Sequence, residues 1–160
     1  TLVMDNLKPG RNLYMLATGT GVAPFMSIVR GLEAYERYEQ VILLWSTRRV
    51  EELAFREILE TLNEHPVWGE ITQGKFMFYP SVTREDFENT GRITEAMFSG
   101  AVHEKLGLLP FEKKHDRAMI CGSMEMNLEF KHYFKDELGC VEGSGNNPGE
   151  FVLEKSFVER

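Results

Sequence analysis

The sequence predicts a doubly wound α/β fold: a five-stranded parallel sheet with helices on both faces. Two observations carry this reading. Short apolar runs alternate with segments of helical period, and the runs are apolar throughout. Strands buried on both faces have that character, whereas a half-solvated sheet alternates inward and outward residues. The chain has 160 residues, 42% of them hydrophobic and 27% charged. At that length roughly 68–70% of the unfolded surface can be buried, so one core needs no metal or disulfide staple.

The elements follow in chain order. Residues 1–8 read as extended chain before a Pro9-Gly10 turn. Leu13-Tyr14-Met15-Leu16-Ala17 is the first strand, and a helix runs from Ala23 to about Tyr38. Val41-Ile42-Leu43-Leu44-Trp45 is the second strand. A helix over 51–62 follows it, with Leu53, Ile58 and Leu62 on one apolar stripe beside Phe55 and Leu59. Phe76-Met77-Phe78-Tyr79 is the third strand, a polar stretch reaches Arg92, and a helix covers 93–105. Ala118-Met119-Ile120-Cys121 is the fourth strand. The next helix opens at Ser123 and stops at Gly139. Phe151-Val152-Leu153 is the fifth strand. Each crossover is expected to be right-handed.

Charge and composition exclude several classes. A formal charge of −7 argues against nucleic acid and anionic membrane surfaces. No apolar run is long enough to span a bilayer. Two cysteines, Cys121 and Cys140, make no disulfide framework and suggest a reducing, cytoplasmic setting. No metal site is expected, because His65, His103, His115 and His132 are scattered without ligand spacing. No G-x-S-x-G nucleophile elbow is present either. The chain opens on Thr1 in extended sequence, as a domain taken from a longer protein would. Residues 1–10 are then the end of a link, and 11–160 the domain itself.

In such sheets ligands bind beyond the carboxyl ends of the strands, so the chemistry is sought at four strand exits. Thr18-Gly19-Thr20-Gly21-Val22-Ala23-Pro24 follows the first strand. It is either a glycine turn that brings backbone N–H groups to a diphosphate or a tight turn with no ligand. Pro24 suits a first helical turn, where its missing N–H costs nothing. The second exit carries Arg48 and Arg49 where an NAD-selective site often has an acid. These arginines either meet phosphate or pair with Glu51 and Glu52. The third exit offers Ser81, Thr83, Arg84 and, at a helix start, Arg92. They form a 2′-phosphate pocket or, on the bland reading, Arg84 pairs with Glu85 or Asp86. At the fourth exit, Gly122 permits close approach and Ser123 is a good N-cap. Met124 and Met126 can shape an apolar wall there. Cys121 either touches a bound ring or is a small buried hydrophobe.

Taken in order, these segments resemble the NADP-binding half of the bacterial ferredoxin (flavodoxin)–NADP⁺ reductases. Leu16 to Phe25 is similar to that family's first nucleotide motif, and Arg48 with Glu52-Leu53-Ala54-Phe55 to its second. Val82-Thr83-Arg84-Glu85 with Gly91-Arg92-Ile93-Thr94 resembles its 2′-phosphate loop. Cys121 to Met126 resembles its Cys-Gly motif, and Phe151 to Arg160 the bacterial C-terminal tail.

The resemblance implies roles. Thr18, Gly19, Thr20, Gly21, Val22 and Pro24 would form the diphosphate and nicotinamide turn. Arg48 would approach the phosphates, and Arg84 and Arg92, with Ser81 and Thr83, the 2′-phosphate. Gly122, Ser123, Met124 and Met126 would lie beside the nicotinamide, with Cys121 bordering it and Glu154 near the reacting rings. Ser156 stands where relatives place a residue against the flavin, and Phe157 to Arg160 would be its adenine-side tail. The implied reaction is hydride transfer between NADP(H) and FAD, followed by single-electron exchange with ferredoxin or flavodoxin. The family holds FAD mainly on an N-terminal β-barrel, so roughly another hundred residues are expected upstream, within ordinary domain size. The 160 residues alone are then expected to bind NADP weakly, hold no FAD and catalyse nothing. Two alternatives stand beside this: an NADH-using reductase component of an oxygenase or flavohaemoglobin, and a non-catalytic NADP-sensing module.

Overall fold

The computed structural model describes residues 2–155. Five parallel strands form one sheet: β1 (Asn12–Thr18), β2 (Gln40–Thr47), β3 (Phe76–Val82), β4 (Asp116–Gly122) and β5 (Phe151–Lys155). Their order is β3-β2-β1-β4-β5, and every pairing is parallel. Among the described residues seven α-helices connect them: α1 (Ala23–Val29), α2 (Leu32–Arg37), α3 (Arg56–Glu60), α4 (Gly69–Thr72), α5 (Ile93–Phe98), α6 (Ala101–Leu106) and α7 (Met124–His132).

Alternation along each strand divides the apolar side chains between two cores. Leu13, Met15, Val41, Leu43, Trp45 and Met119 face one side, against Phe25, Val29, Tyr35 and Leu59 from α1 to α3. Tyr14, Leu16, Ile42, Leu44 and Ile120 face the other, against Ile93, Met97, Val102 and Phe130 from α5 to α7. Each fully buried large side chain among them contributes about 1.5–3 kcal/mol. The chain winds outward through β1, β2 and β3, then returns across the opposite face to β4. The switch point therefore falls between β1 and β4, whose following helices α1 and α7 lie on opposite faces of the sheet.

Several expected elements differ. The helix read over 23–38 breaks at Arg30-Gly31, where Gly31 takes an extended conformation. The one read over 93–105 breaks at Gly100, a left-handed residue with φ of 87°. The segment 51–62 holds a 3₁₀ turn at Val50–Glu52 before the short α3. The stretch before Pro9 is not a strand: Met4–Asn6 is a 3₁₀ turn, and Leu7 bridges to Gly149. Arg117 fixes that stretch. Although nearly buried, its guanidinium donates to the carbonyls of Lys8, Pro9, Lys113 and Asp116 at 2.6–3.0 Å.

Candidate functional site: a cleft at the carboxyl ends of the strands

Hydrogen bonds between the strand exits hold them in a fixed relation. The Trp45 indole N–H donates to the Gly19 carbonyl at 2.9 Å, pinning the turn after β1 to β2. The Ser123 backbone N–H donates to Thr18 Oγ1 at 2.8 Å, pinning β1 to the start of α7. Thr83 and Arg84 N–H groups donate to the carbonyls of Thr47 and Arg48 at 3.1 and 2.9 Å. The loops after β2 and β3 thus lie side by side. The base of the second loop is closed by Ser81 Oγ donating to the Gly91 carbonyl at 2.6 Å, and by Gly91 N–H to the Val82 carbonyl at 2.9 Å.

Between these exits lies a cleft of about 1140 Å³, large enough for a dinucleotide. Of the residues expected at a site, Thr18, Gly19, Thr20, Val22, Arg48, Thr83, Arg84, Arg92, Ser123 and Met126 line it. Four further lining residues carry chemistry that the sequence reading did not assign. Trp45 and Phe55 form a tilted aromatic pair, with ring centroids 6.1 Å apart. The Thr94 hydroxyl is buried in the cleft wall without a hydrogen-bond partner. Glu125 adds a carboxylate beside Arg92. Phe55 and Thr94 stand inside motifs the sequence displayed, and Trp45 closes an apolar strand; strand-exit position was the available signal.

The other expected residues have different places. Gly21 and Gly122 lie beside the cleft as packing positions. A Cβ on Gly21 would sit 2.0 Å from the Cys121 carbonyl oxygen, and one on Gly122 would sit 2.2 Å from Thr18 Oγ1. Ser81 is buried, and its hydroxyl is turned to Gly91. Pro24 begins α1 on its exposed side, and Met124 is 48% exposed. Cys121 and Glu154 are register partners at the ends of β4 and β5. Burial, aided by the Glu154 charge, pushes the Cys121 thiol up to about 11, so it stays neutral. Ser156 and Phe157 to Arg160 lie outside the described residues.

The arginines differ in their company. Arg84 is exposed and meets no carboxylate among the described residues. Glu85, one of its two candidate partners, instead accepts from the Val50 N–H at 2.9 Å. Arg48 Nε stands 3.7 Å from Glu52. Arg92 contacts Glu125 at 3.2 Å and Glu129 more closely still. Three guanidinium groups and an aromatic pair lining one cleft suit a ligand with a flat ring and several phosphates.

Comparison with known proteins places the chain among its relatives. The chain is 46% identical over 159 residues to a flavodoxin/ferredoxin–NADP reductase of Rhodobacter capsulatus, covering 99% of this chain and 58% of that one. It is 45% identical to a ferredoxin–NADP reductase of Azotobacter vinelandii, covering all of this chain and 62% of the relative. The chain thus spans about three fifths of the length of the curated relatives it matches. A crystal structure of a ferredoxin NADP⁺ reductase from Neisseria gonorrhoeae with bound FAD and NADP superposes with a TM-score of 0.82 at 30% identity. That match covers 97% of this chain and 60% of the other. The model for the oxidoreductase NAD-binding domain matches residues 15–131, from β1 into α7, and this chain belongs to that family.

Proposed function

We propose that the cleft binds NADP(H) and that the chain is the pyridine-nucleotide half of a ferredoxin– or flavodoxin–NADP⁺ reductase. The observation that carries this reading is the convergence of Arg48, Arg84 and Arg92 on one cleft in a chain of net charge −7. Adjacent loops joined by backbone hydrogen bonds bring the first two together. Similarity along nearly the whole chain to named reductases supports it.

Arg84 and Arg92 hold the 2′-phosphate, with the Thr83 hydroxyl beside them, and Arg48 approaches the other phosphates. Guanidinium groups keep their charge at any working pH and match phosphate bidentately. The turn at Thr18–Val22 takes the diphosphate side of the nicotinamide end. Trp45 and Phe55 close the cleft with aromatic surface. The flavin meets this chain beside the neutral Cys121 thiol and the Glu154 carboxylate, register partners near the ends of β4 and β5. FAD is then held mainly by a further domain, and ferredoxin or flavodoxin is the partner of the whole, cytoplasmic enzyme. When bound, nicotinamide and flavin supply the hydride chemistry, and the flavin exchanges single electrons with the partner. The chain's own residues orient the nicotinamide and exclude water; none acts as a general base.

Calorimetric titration with NADP⁺ and NAD⁺ tests the reading. NADP⁺ should bind in preference, and Arg84→Ala should weaken it by ~1.5–3 kcal/mol, the range for hydrogen bonds to charged groups. NAD⁺ should be unaffected. Equal binding of both coenzymes, indifferent to Arg84→Ala, would replace the proposal with an NADH-using relative.

A further inference from the structure

The three cleft arginines are not equally available to an anion. Arg84 has no carboxylate neighbour among the described residues, while Arg92 has two. Glu125 and Glu129 stand one turn apart on α7, so both face the same point beside the cleft. Both reach the same nitrogen, Nη2 of Arg92. A phosphate that reaches Arg92 binds beside both carboxylates. It does so against a cluster whose formal charge is −1, one guanidinium against two carboxylates. A phosphate monoester itself carries about −1.5 to −2 at pH 7.

We propose that Glu125 and Glu129 set the affinity of the cleft, holding the coenzyme's 2′-phosphate more loosely than the three arginines alone would. This rests on the NADP(H) reading of the cleft. Glu125 is 76% exposed and lines the cleft, and it lies in the first turn of α7. A carboxylate there is favoured by the helix dipole, so it has a stable position from which to repel the ligand. Glu129 is 36% exposed and makes the tighter contact. Weak retention of coenzyme suits an enzyme that must exchange it at every turnover, since product release limits many such cycles. The charge at Arg92 thus serves position more than strength, and Arg84 carries most of the attraction.

The test is titration of NADP⁺ and NAD⁺ into the unaltered chain and into Glu125→Gln, Glu129→Gln and the double variant, at low and high salt. Each single variant should bind NADP⁺ about threefold more tightly and the double variant about tenfold, with the gain shrinking as salt rises. NAD⁺ should stay the same throughout. Unchanged or weaker NADP⁺ binding in the double variant, at an unchanged melting temperature, would overturn the proposal and make the carboxylates props for Arg92. Should the double variant fold poorly, the exposed Glu125→Gln decides alone by the same criterion. Failure of the coenzyme reading looks different: NADP⁺ and NAD⁺ bind alike in every variant, and Arg84→Ala changes neither.

Discussion

At Gly21 the backbone has no room for a side chain, because a Cβ would lie 2.0 Å from one β4 carbonyl oxygen and 2.6 Å from its carbon. Backbone cannot yield as a flexible side chain can. Gly21→Ala should therefore cost at least the ~1–3 kcal/mol of an overpacked core, measured by urea unfolding. Gly145, in open space with no left-handed φ, is the control, and Gly145→Ala should be close to neutral. Gly19 is a third kind of position: its Cβ would meet nothing, but its φ of 53° is left-handed. The sequence displays all the glycines of the nucleotide turn alike. It does not show that Gly21 and Gly122 are small because the end of β1 and the turn after it pack directly on the end of β4. The arginines read differently. Their positions at strand exits were legible from the apolar runs alone, whereas the pairing of Arg92 with Glu129 depends on where α7 crosses α5. Thirty-seven residues separate the two in sequence, and no local pattern reports that contact.

Strands were the more legible elements because burial on both faces leaves an unbroken apolar run, and β1, β2, β3, β4 and β5 all fall on one. Helices were placed correctly as connections but drawn too long, since apolar spacing persists across a break when both pieces pack on the same core. Gly100 is such a break. It ends the turn after α5 with φ of 87° and starts α6, and Val102 then packs in the same core as Ile93 and Met97. A Cβ at Gly100 would clash with nothing, so its whole role is conformational. Gly100→Ala should cost ~1–2 kcal/mol, the penalty of an L-residue in the left-handed region, again by urea unfolding. It should leave coenzyme binding intact, since Gly100 does not line the cleft. Ser123 was legible as a cap from residue type alone, and its hydroxyl accepts from the Met126 N–H at 3.2 Å.

Across the whole molecule, two buried groups give stability the same dependence on acid. His103 is 5% exposed, packed 5.9 Å from the Tyr14 ring, and neither ring nitrogen has a hydrogen-bond partner among the described residues. Burial holds its pKa below the usual 6.5, although the nearby Asp116 charge works against that shift. Below about pH 6.5 the unfolded chain takes up a proton at this histidine that the folded chain refuses. Stability therefore falls with pH until the depressed folded pKa is reached. Glu150 continues the fall. Burial alone would raise its pKa, but the hydrogen bonds from Lys8, at 2.7 Å, and from the Val141 N–H outweigh burial and lower it below 4.5. Its contribution is present above 4.5 and is lost as pH drops through the folded value. Urea midpoints at pH 7.5, 6, 5 and 4 should decline in two successive windows. His103→Gln should flatten the upper window and leave the lower, and Glu150→Gln should do the reverse. The Glu150 limb has a further consequence, because Lys8 belongs to the segment that Arg117 clamps beside β4 through the Lys8 and Pro9 carbonyls. Protonating Glu150 should loosen residues 2–10 before the sheet unfolds. Amide exchange of the Lys8 N–H, which donates to the Gly149 carbonyl, should then accelerate at a higher pH than exchange in β1. Equal acceleration at both places would mean that the segment and the sheet melt as one unit.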